Sequence, residues 1–164
     1  MKSGRGKAKA LSPQVIVRPS GIHGRGVFAR QAIRKGKRII EYTGAEIPWD
    51  VAQDLPPLDP DDPHHTFFFS LDNGNVINAA VGGNEARWIN HSCAPNCRTD
   101  EHNGRVFVYA LRNLQAGEEL SYDYRLQPAE RQTKKLEALF GCECGSARCR
   151  GTMLEARPKK RKSA

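Results

Sequence analysis

Long apolar runs are missing from this 164-residue chain, and none approaches the roughly 18 residues of a membrane-crossing helix. The basic stretch from Met1 to Leu11 has no apolar core behind it, so a secretion signal is not indicated and the protein is expected inside the cell. Internal repeats are absent, and low complexity is confined to the two ends, which argues against solenoids and fibrous arrays. Hydrophobic residues at 38% and charged ones at 27% fit neither a disordered nor a membrane protein, and the length suits one domain with a real core.

Basic charge is scarce in the body of the chain even though the net charge is +8. Lys2, Arg5, Lys7 and Lys9 precede residue 10, and Arg157, Lys159, Lys160, Arg161 and Lys162 follow residue 156. Nine of the 26 basic residues therefore lie in the tails, leaving 17 against 18 acidic ones and a body near −1. A module that grips phosphates needs a basic surface of its own, so the body is not expected to read nucleic acid. The tails can add weak, salt-sensitive DNA contacts.

What is present reads as short strands. Val15 to Val17, Val27 to Ala29, Arg38 to Tyr42, Thr66 to Leu71, Val76-Ile77, Val106 to Leu111 and Glu119 to Tyr124 are expected strands, with turn chemistry at Asp72-Asn73-Gly74-Asn75. A helical turn is expected over Trp49 to Leu55, ended by Pro56 and Pro57, and one proper helix over Pro128 to Phe140. The fold class is mainly β with one late helix. The expected division is a basic tail over 1–12, a catalytic domain over 13–126, a linking helix over 127–140, a metal segment over 138–154 and a second basic tail over 155–164.

Five cysteines are an odd number, and Cys142, Cys144 and Cys149 form a C-x-C-x₄-C cluster. Without a secretion signal, such clustering favours metal over disulfides. Three thiolates this close can face one ion, and a tetrahedral zinc shell needs a fourth ligand, for which Cys93 and Cys97 are both available. The plain alternative is a set of small core cysteines. Gly24-Arg25-Gly26, Arg87 to Cys93 and Glu119 to Tyr124 are each ambiguous alone: a backbone turn, a polar core turn and an ordinary strand would explain them.

Taken together and in this order, the segments resemble the SET-domain protein lysine methyltransferases with their C-terminal post-SET zinc segment. The matching pieces are Gly24 to Ala29, Tyr42-Thr43-Gly44, Leu71-Asp72, Gly83-Asn84, Arg87 to Cys93 with Pro95-Asn96, Gly117 to Leu120, Tyr122-Asp123-Tyr124 and the three late cysteines. The resemblance runs from about Val15 to Leu154, without the cysteine-rich segment that precedes the domain in many relatives. It implies a β-clip-like fold of short curled sheets in which the chain near Tyr124 threads past Asn90 and His91. It implies S-adenosylmethionine held by His23, Gly24, Arg25, Gly26, Arg87, Asn90, His91 and Tyr124, and one structural zinc ion on Cys93, Cys142, Cys144 and Cys149, with Cys97 left over.

The same resemblance implies transfer of a methyl group to the side-chain amine of a lysine in a basic protein such as a histone tail. Tyr124 and Tyr122 are the expected catalytic pair, and Phe67, Tyr122 and Tyr124 the expected substrate channel, with Tyr122 limiting the product to mono- or dimethyl-lysine. Phe67 stands where many relatives carry tyrosine, and Trp88 where phenylalanine is usual, the latter read as core packing. Asp50, Asp54, Asp59, Asp61 and Asp62 give either an attraction for basic peptides or a solvated loop. A monomer is expected, with no membrane association. The tail Pro158 to Lys162 resembles a nuclear localisation signal and fits a chromatin or nucleoid context. The rival expectation is a catalytically silent module of the same fold that binds peptides or chromatin.

Overall fold

A computed structural model describes residues 12–62, 65–128 and 130–157. Most of both basic tails, including the signal-like Pro158 to Lys162, lies outside the described residues.

The strands form four small sheets. β1 (Val15–Pro19) pairs antiparallel with β2 (Arg25–Ala29). β3 (Arg38–Tyr42), β9 (Arg105–Ala110) and β8 (Cys97–His102) form an antiparallel sheet with β9 central, and a bulge at Arg38/Ile40 shifts its register. β4 (Ala45–Pro48), β6 (Asn75–Asn78) and β5 (Phe68–Ser70) form another, with β6 central. The fourth is a two-residue parallel pair, β7 (Asn90–His91) with β10 (Ser121–Tyr122). That pair brings the Asn90-His91 segment beside the segment that leads into Tyr124.

One core joins these sheets. Val27, Ile33, Ile89, Val106, Val108, Leu114 and Leu120 are almost wholly buried, and the partly buried Phe67, Phe69, Trp88 and Tyr124 pack against the same cluster. Reciprocal backbone bonds between Ile33 and Leu114, 2.9 and 2.8 Å long, tie the turn after β2 to the turn after β9. Gly83 serves packing here: a Cβ at that position would overlap the Ala79 carbonyl.

Several expectations need correction. The late helix is α2 (Lys134–Leu139), not Pro128 to Phe140, because Thr133 caps it by accepting the Leu136 amide at 3.2 Å and so fixes its start. Ala129, inside the expected span, lies outside the described residues. β8 and β4 were not anticipated: β8 reads Cys-Arg-Thr-Asp-Glu-His, a sheet-edge strand whose charged side chains face water, so it lacks an apolar run. Glu119 to Tyr124 is strand only over Ser121–Tyr122, and Glu85–Trp88 is a 3₁₀ turn whose Asn84 cap accepts the Ala86 amide. The expected turn over Trp49 to Leu55 is α1 (Trp49–Gln53).

Candidate active site

Ser20 to Gly24 folds as the connection between β1 and β2, and Arg25 and Gly26 open β2. Gly24 adopts φ +45°, a left-handed conformation natural to glycine, while Gly26 lies where any Cβ would collide with the Glu119 carboxylate. Glu119 is held there. Its Oε1 accepts the Ser20 hydroxyl at 2.7 Å and the Asn90 amide nitrogen at 2.9 Å.

The same Asn90 Nδ2 reaches Ser20 Oγ at 3.1 Å, the His23 carbonyl at 3.1 Å and the Arg25 carbonyl at 2.9 Å. Four acceptors around one nitrogen fix the amide orientation, leaving Oδ1 on the other side. The glycine turn, the Asn90 segment and Glu119 are therefore locked into one unit.

Next to this unit is a pocket of about 80 Å³ lined by His23, Gly24, Arg25, His65, Phe67, Arg87, Trp88, Asn90 and Tyr124. Of the residues expected to hold a cofactor, His23, Gly24, Arg25, Arg87, Asn90 and Tyr124 line it. Gly26 and His91 do not. The Arg25 and Arg87 guanidiniums stand 5.5 and 5.0 Å from the centre of the Trp88 ring, so the pocket wall carries two cations on an aromatic plate. Arg87 Nη1 donates to the Ala79 carbonyl at 3.4 Å, but its buried Nε has no hydrogen-bond partner among the described residues. Trp88 thus serves the pocket as well as the core. His65, whose ring lies 5.6 Å from His23 and 5.1 Å from Phe67, is a wall residue that no sequence pattern suggested.

His91 is buried, and burial pushes its imidazole down to about 4, with the Arg150 charge acting the same way and Asp123 opposing. The neutral ring carries one hydrogen. Because the Tyr124 amide donates to Nδ1 at 3.0 Å, that hydrogen is on Nε2, which faces Cys93 Sγ at 3.4 Å. Both ring nitrogens are engaged inside the protein, so the imidazole offers a ligand no edge.

Tyr124 donates its hydroxyl to the Ile89 carbonyl. Burial raises its pKa well above that of an ordinary tyrosine, so it stays a neutral phenol whose oxygen has lone pairs to offer. The Tyr122 ring is 5.0 Å away, and Phe69 and Tyr42 continue the aromatic group at centroid spacings of 6.3 and 5.3 Å. Phe67 packs instead against Trp88, 5.0 Å between centroids. Tyr42, whose hydroxyl donates to the Phe67 carbonyl at 3.1 Å, belongs to the Tyr42-Thr43-Gly44 motif, to which the sequence assigns no role.

On the other side of His91, the sulfurs of Cys93, Cys142, Cys144 and Cys149 lie within 4.8 Å of one another and can hold a metal ion. Cys93 and Cys142 are 3.8 Å apart, near the edge of a tetrahedron built on metal–sulfur bonds of about 2.3 Å. Amides of Arg150, Cys144 and Gly151 point at the sulfurs of Cys93, Cys142 and Cys149 at 3.3 to 3.4 Å, suited to thiolates rather than thiols. Cys97 is apart from them, buried in β8, its thiol pushed up to about 12 by burial.

A mainly β domain with a pocket beside a glycine turn and a short parallel strand pair, and a four-cysteine cluster on the far side of His91, defines the class. Residues 24–125 match the family model for the SET domain, and the chain belongs to the SET-domain family. It is 37% identical over 146 residues to histone-lysine N-methyltransferase 2B of Homo sapiens, covering 87% of this chain and 5% of that protein. Identity to histone-lysine N-methyltransferase ATX2 of Arabidopsis thaliana is 34% over 160 residues, covering 88% and 13%. A Neurospora crassa relative named histone-lysine N-methyltransferase, H3 lysine-4 specific, is 36% identical over 138 residues, covering 80% and 10%. The chain thus spans only a small part of the length of these relatives.

Proposed function

We propose that this protein is a protein-lysine N-methyltransferase that uses S-adenosylmethionine and acts on a histone or histone-like basic protein. The observation that carries the reading is the meeting of Asn90, the glycine turn and Tyr124 around one pocket, with an aromatic group behind the tyrosine. When bound, S-adenosylmethionine supplies a methyl group on a positively charged sulfur.

The residues suit that ligand chemically. Arg25, and Arg87 with its partnerless buried Nε, match a carboxylate, while the Asn90 oxygen and nearby carbonyls match an ammonium group. About 80 Å³ is below the roughly 300 Å³ of an ordinary small-molecule site. The exposed side chains of His23 and Arg25 would swing outward to enlarge it.

A lysine amine with pKa near 10.4 is neutral only about once in 2,500 at pH 7, a handicap of about 4.6 kcal/mol. The buried rings of Tyr42 and Tyr122, with the half-buried Phe69, exclude water and favour the neutral amine. Tyr124, its proton engaged by Ile89, presents its oxygen as an acceptor that orients the amine and the incoming methyl. Tyr122 crowds the end of the channel, which limits the product to mono- and dimethyl-lysine. Cys93, Cys142, Cys144 and Cys149 hold one zinc ion, which fastens the C-terminal segment beside the site. Asp50, Asp54, Asp59, Asp61 and Asp62, all exposed, would attract a basic substrate.

The test is incubation of the zinc-loaded protein with isotopically labelled S-adenosylmethionine and a panel of core histones, histone-like proteins and the enzyme itself. Label on a lysine, chiefly as mono- or dimethyl-lysine by mass spectrometry, is expected. Absence of both transfer and cofactor binding would overturn the proposal.

A further inference from the structure

We propose that Asp123 and Arg150 are positioning residues that make the placement of Tyr124 depend on the four-cysteine centre. This rests on the reading of Tyr124 as the residue that orients the amine, and it adds a device that the activity by itself does not require.

Arg150 follows the last cysteine of the centre, and its amide donates to Cys93 Sγ at 3.3 Å. Its guanidinium forks onto the carboxylate of Asp123, Nη1 to Oδ2 at 2.9 Å and Nη2 to Oδ1 at 3.0 Å, while Nη2 also donates to the Leu154 carbonyl at 3.1 Å. The Arg150 and Asp123 side chains are only 24% and 20% exposed, so the pair is shielded more than an ordinary surface ion pair. Asp123 immediately precedes Tyr124. Its Oδ1 also accepts the amide of Arg125 at 3.1 Å, where the chain turns with φ +47°, a conformation uncommon for a residue with a side chain.

A second link runs parallel to the first. The Tyr124 amide donates to His91 Nδ1, and His91 Nε2 meets Cys93 Sγ. The backbone around Tyr124 is therefore gripped on both flanks by groups whose far ends rest on the cysteine centre. A bidentate carboxylate–guanidinium fork fixes direction as well as distance, which a lysine at 150 could not do. A backbone connection also exists, because the Leu126 amide donates to the Met153 carbonyl at 3.2 Å and the Glu155 amide to Leu126 at 2.9 Å. If that connection alone sufficed, the side-chain fork would be dispensable, and this is the rival to be separated.

The experiment uses the full zinc-loaded chain as wild type, Asp123→Asn, Arg150→Gln, the double variant and Arg150→Lys. Three quantities are read: zinc per chain by native mass spectrometry, hydrogen exchange of the segment 121–126, and cofactor affinity alongside kcat. Each single variant is expected to keep one zinc and bind cofactor within about threefold of wild type, while the 121–126 segment exchanges about tenfold faster and kcat falls about tenfold, the scale of one broken charged pair. The double variant should be no worse than either single one, and Arg150→Lys should fall between wild type and Arg150→Gln. Unchanged exchange at 121–126 in folded, zinc-loaded variants, or additive losses in the double variant, would overturn the proposal.

Stripping zinc from the wild type must also raise exchange at 121–126. That arm needs no turnover, so it decides the coupling even if no methyl transfer is ever found.

Discussion

The segment matched by the family model and the C-terminal stretch after it are held by different physics. From Gly24 to Arg125 the chain buries Val27, Ile89, Val106, Val108, Leu114 and Leu120 almost completely, and its sheets share one core. From Glu130 to Arg157, α2 buries no residue, Leu139 remains 50% exposed, and Thr152 and Leu154 are the buried residues among those described. A stretch with so little apolar burial cannot hold itself in place by hydrophobic association. Four clustered sulfurs able to chelate a metal ion, the Asp123–Arg150 pair and the backbone bonds of Leu126 to Met153 and Glu155 tie that stretch to the residues around Tyr124.

The sharpest way to break this contrast is to remove the metal. A strong chelator, or Cys144→Ser, is expected to abolish methyl transfer and to raise hydrogen exchange across 141–154, while the β3–β9–β8 sheet keeps its protection. Equal loss of protection in that sheet would mean that the two regions are one cooperative unit.

Within the core-held region, Tyr124→Phe is expected to lower kcat about 100-fold by misplacing the amine. The same change should cost only about 1 kcal/mol of stability, the worth of the hydrogen bond to Ile89, as read by denaturant unfolding. The pH profile is next in size. Burial raises the pKa of Tyr122 and Tyr124, so both remain neutral phenols from pH 6 to 9 and neither loses a proton there. The rise of kcat/KM with pH must then come from the substrate amine, about tenfold per pH unit below its pKa of about 10.4. Because kcat/KM reports the free amine and kcat the bound one, kcat is expected to level off at lower pH, as the dry site lowers the pKa of the bound lysine, and a kcat that climbs in step with kcat/KM would contradict this. The smallest effect is expected for Cys97→Ala, which should leave one zinc per chain and cost about 1 kcal/mol of stability, because Cys97 is a neutral core thiol remote from the centre.

The three late cysteines could be read directly from residue types, because close thiols restrict the chemistry strongly, whereas the glycine turn and the Asn90-His91 pair are ambiguous alone and take their roles only from the family resemblance. Cys93 became the fourth cysteine only by family resemblance, since spacing left Cys97 equally available. The charged strand β8 and the late start of α2 escaped notice for ordinary reasons. An edge strand need show no apolar run, and a threonine cap outweighs a permissive upstream sequence. His65 could not be anticipated, because a His-His pair at the end of an acidic, proline-rich loop carries no periodic signal.

Composition and motif order by themselves determined a mainly β fold, a tail-borne basic charge, a cluster of thiols able to hold a metal and the family. Those properties follow from residue chemistry and local spacing. Tertiary structure alone decided that the His91 ring faces Cys93 and the Tyr124 backbone rather than the pocket, and that Arg150 grips the residue beside Tyr124. His91 and Cys93 are two residues apart, but the Tyr124–His91, Arg150–Cys93 and Arg150–Asp123 pairings join residues 27 to 57 apart, and hydrogen-bond direction over that separation is set by how sheets pack, which no local pattern encodes.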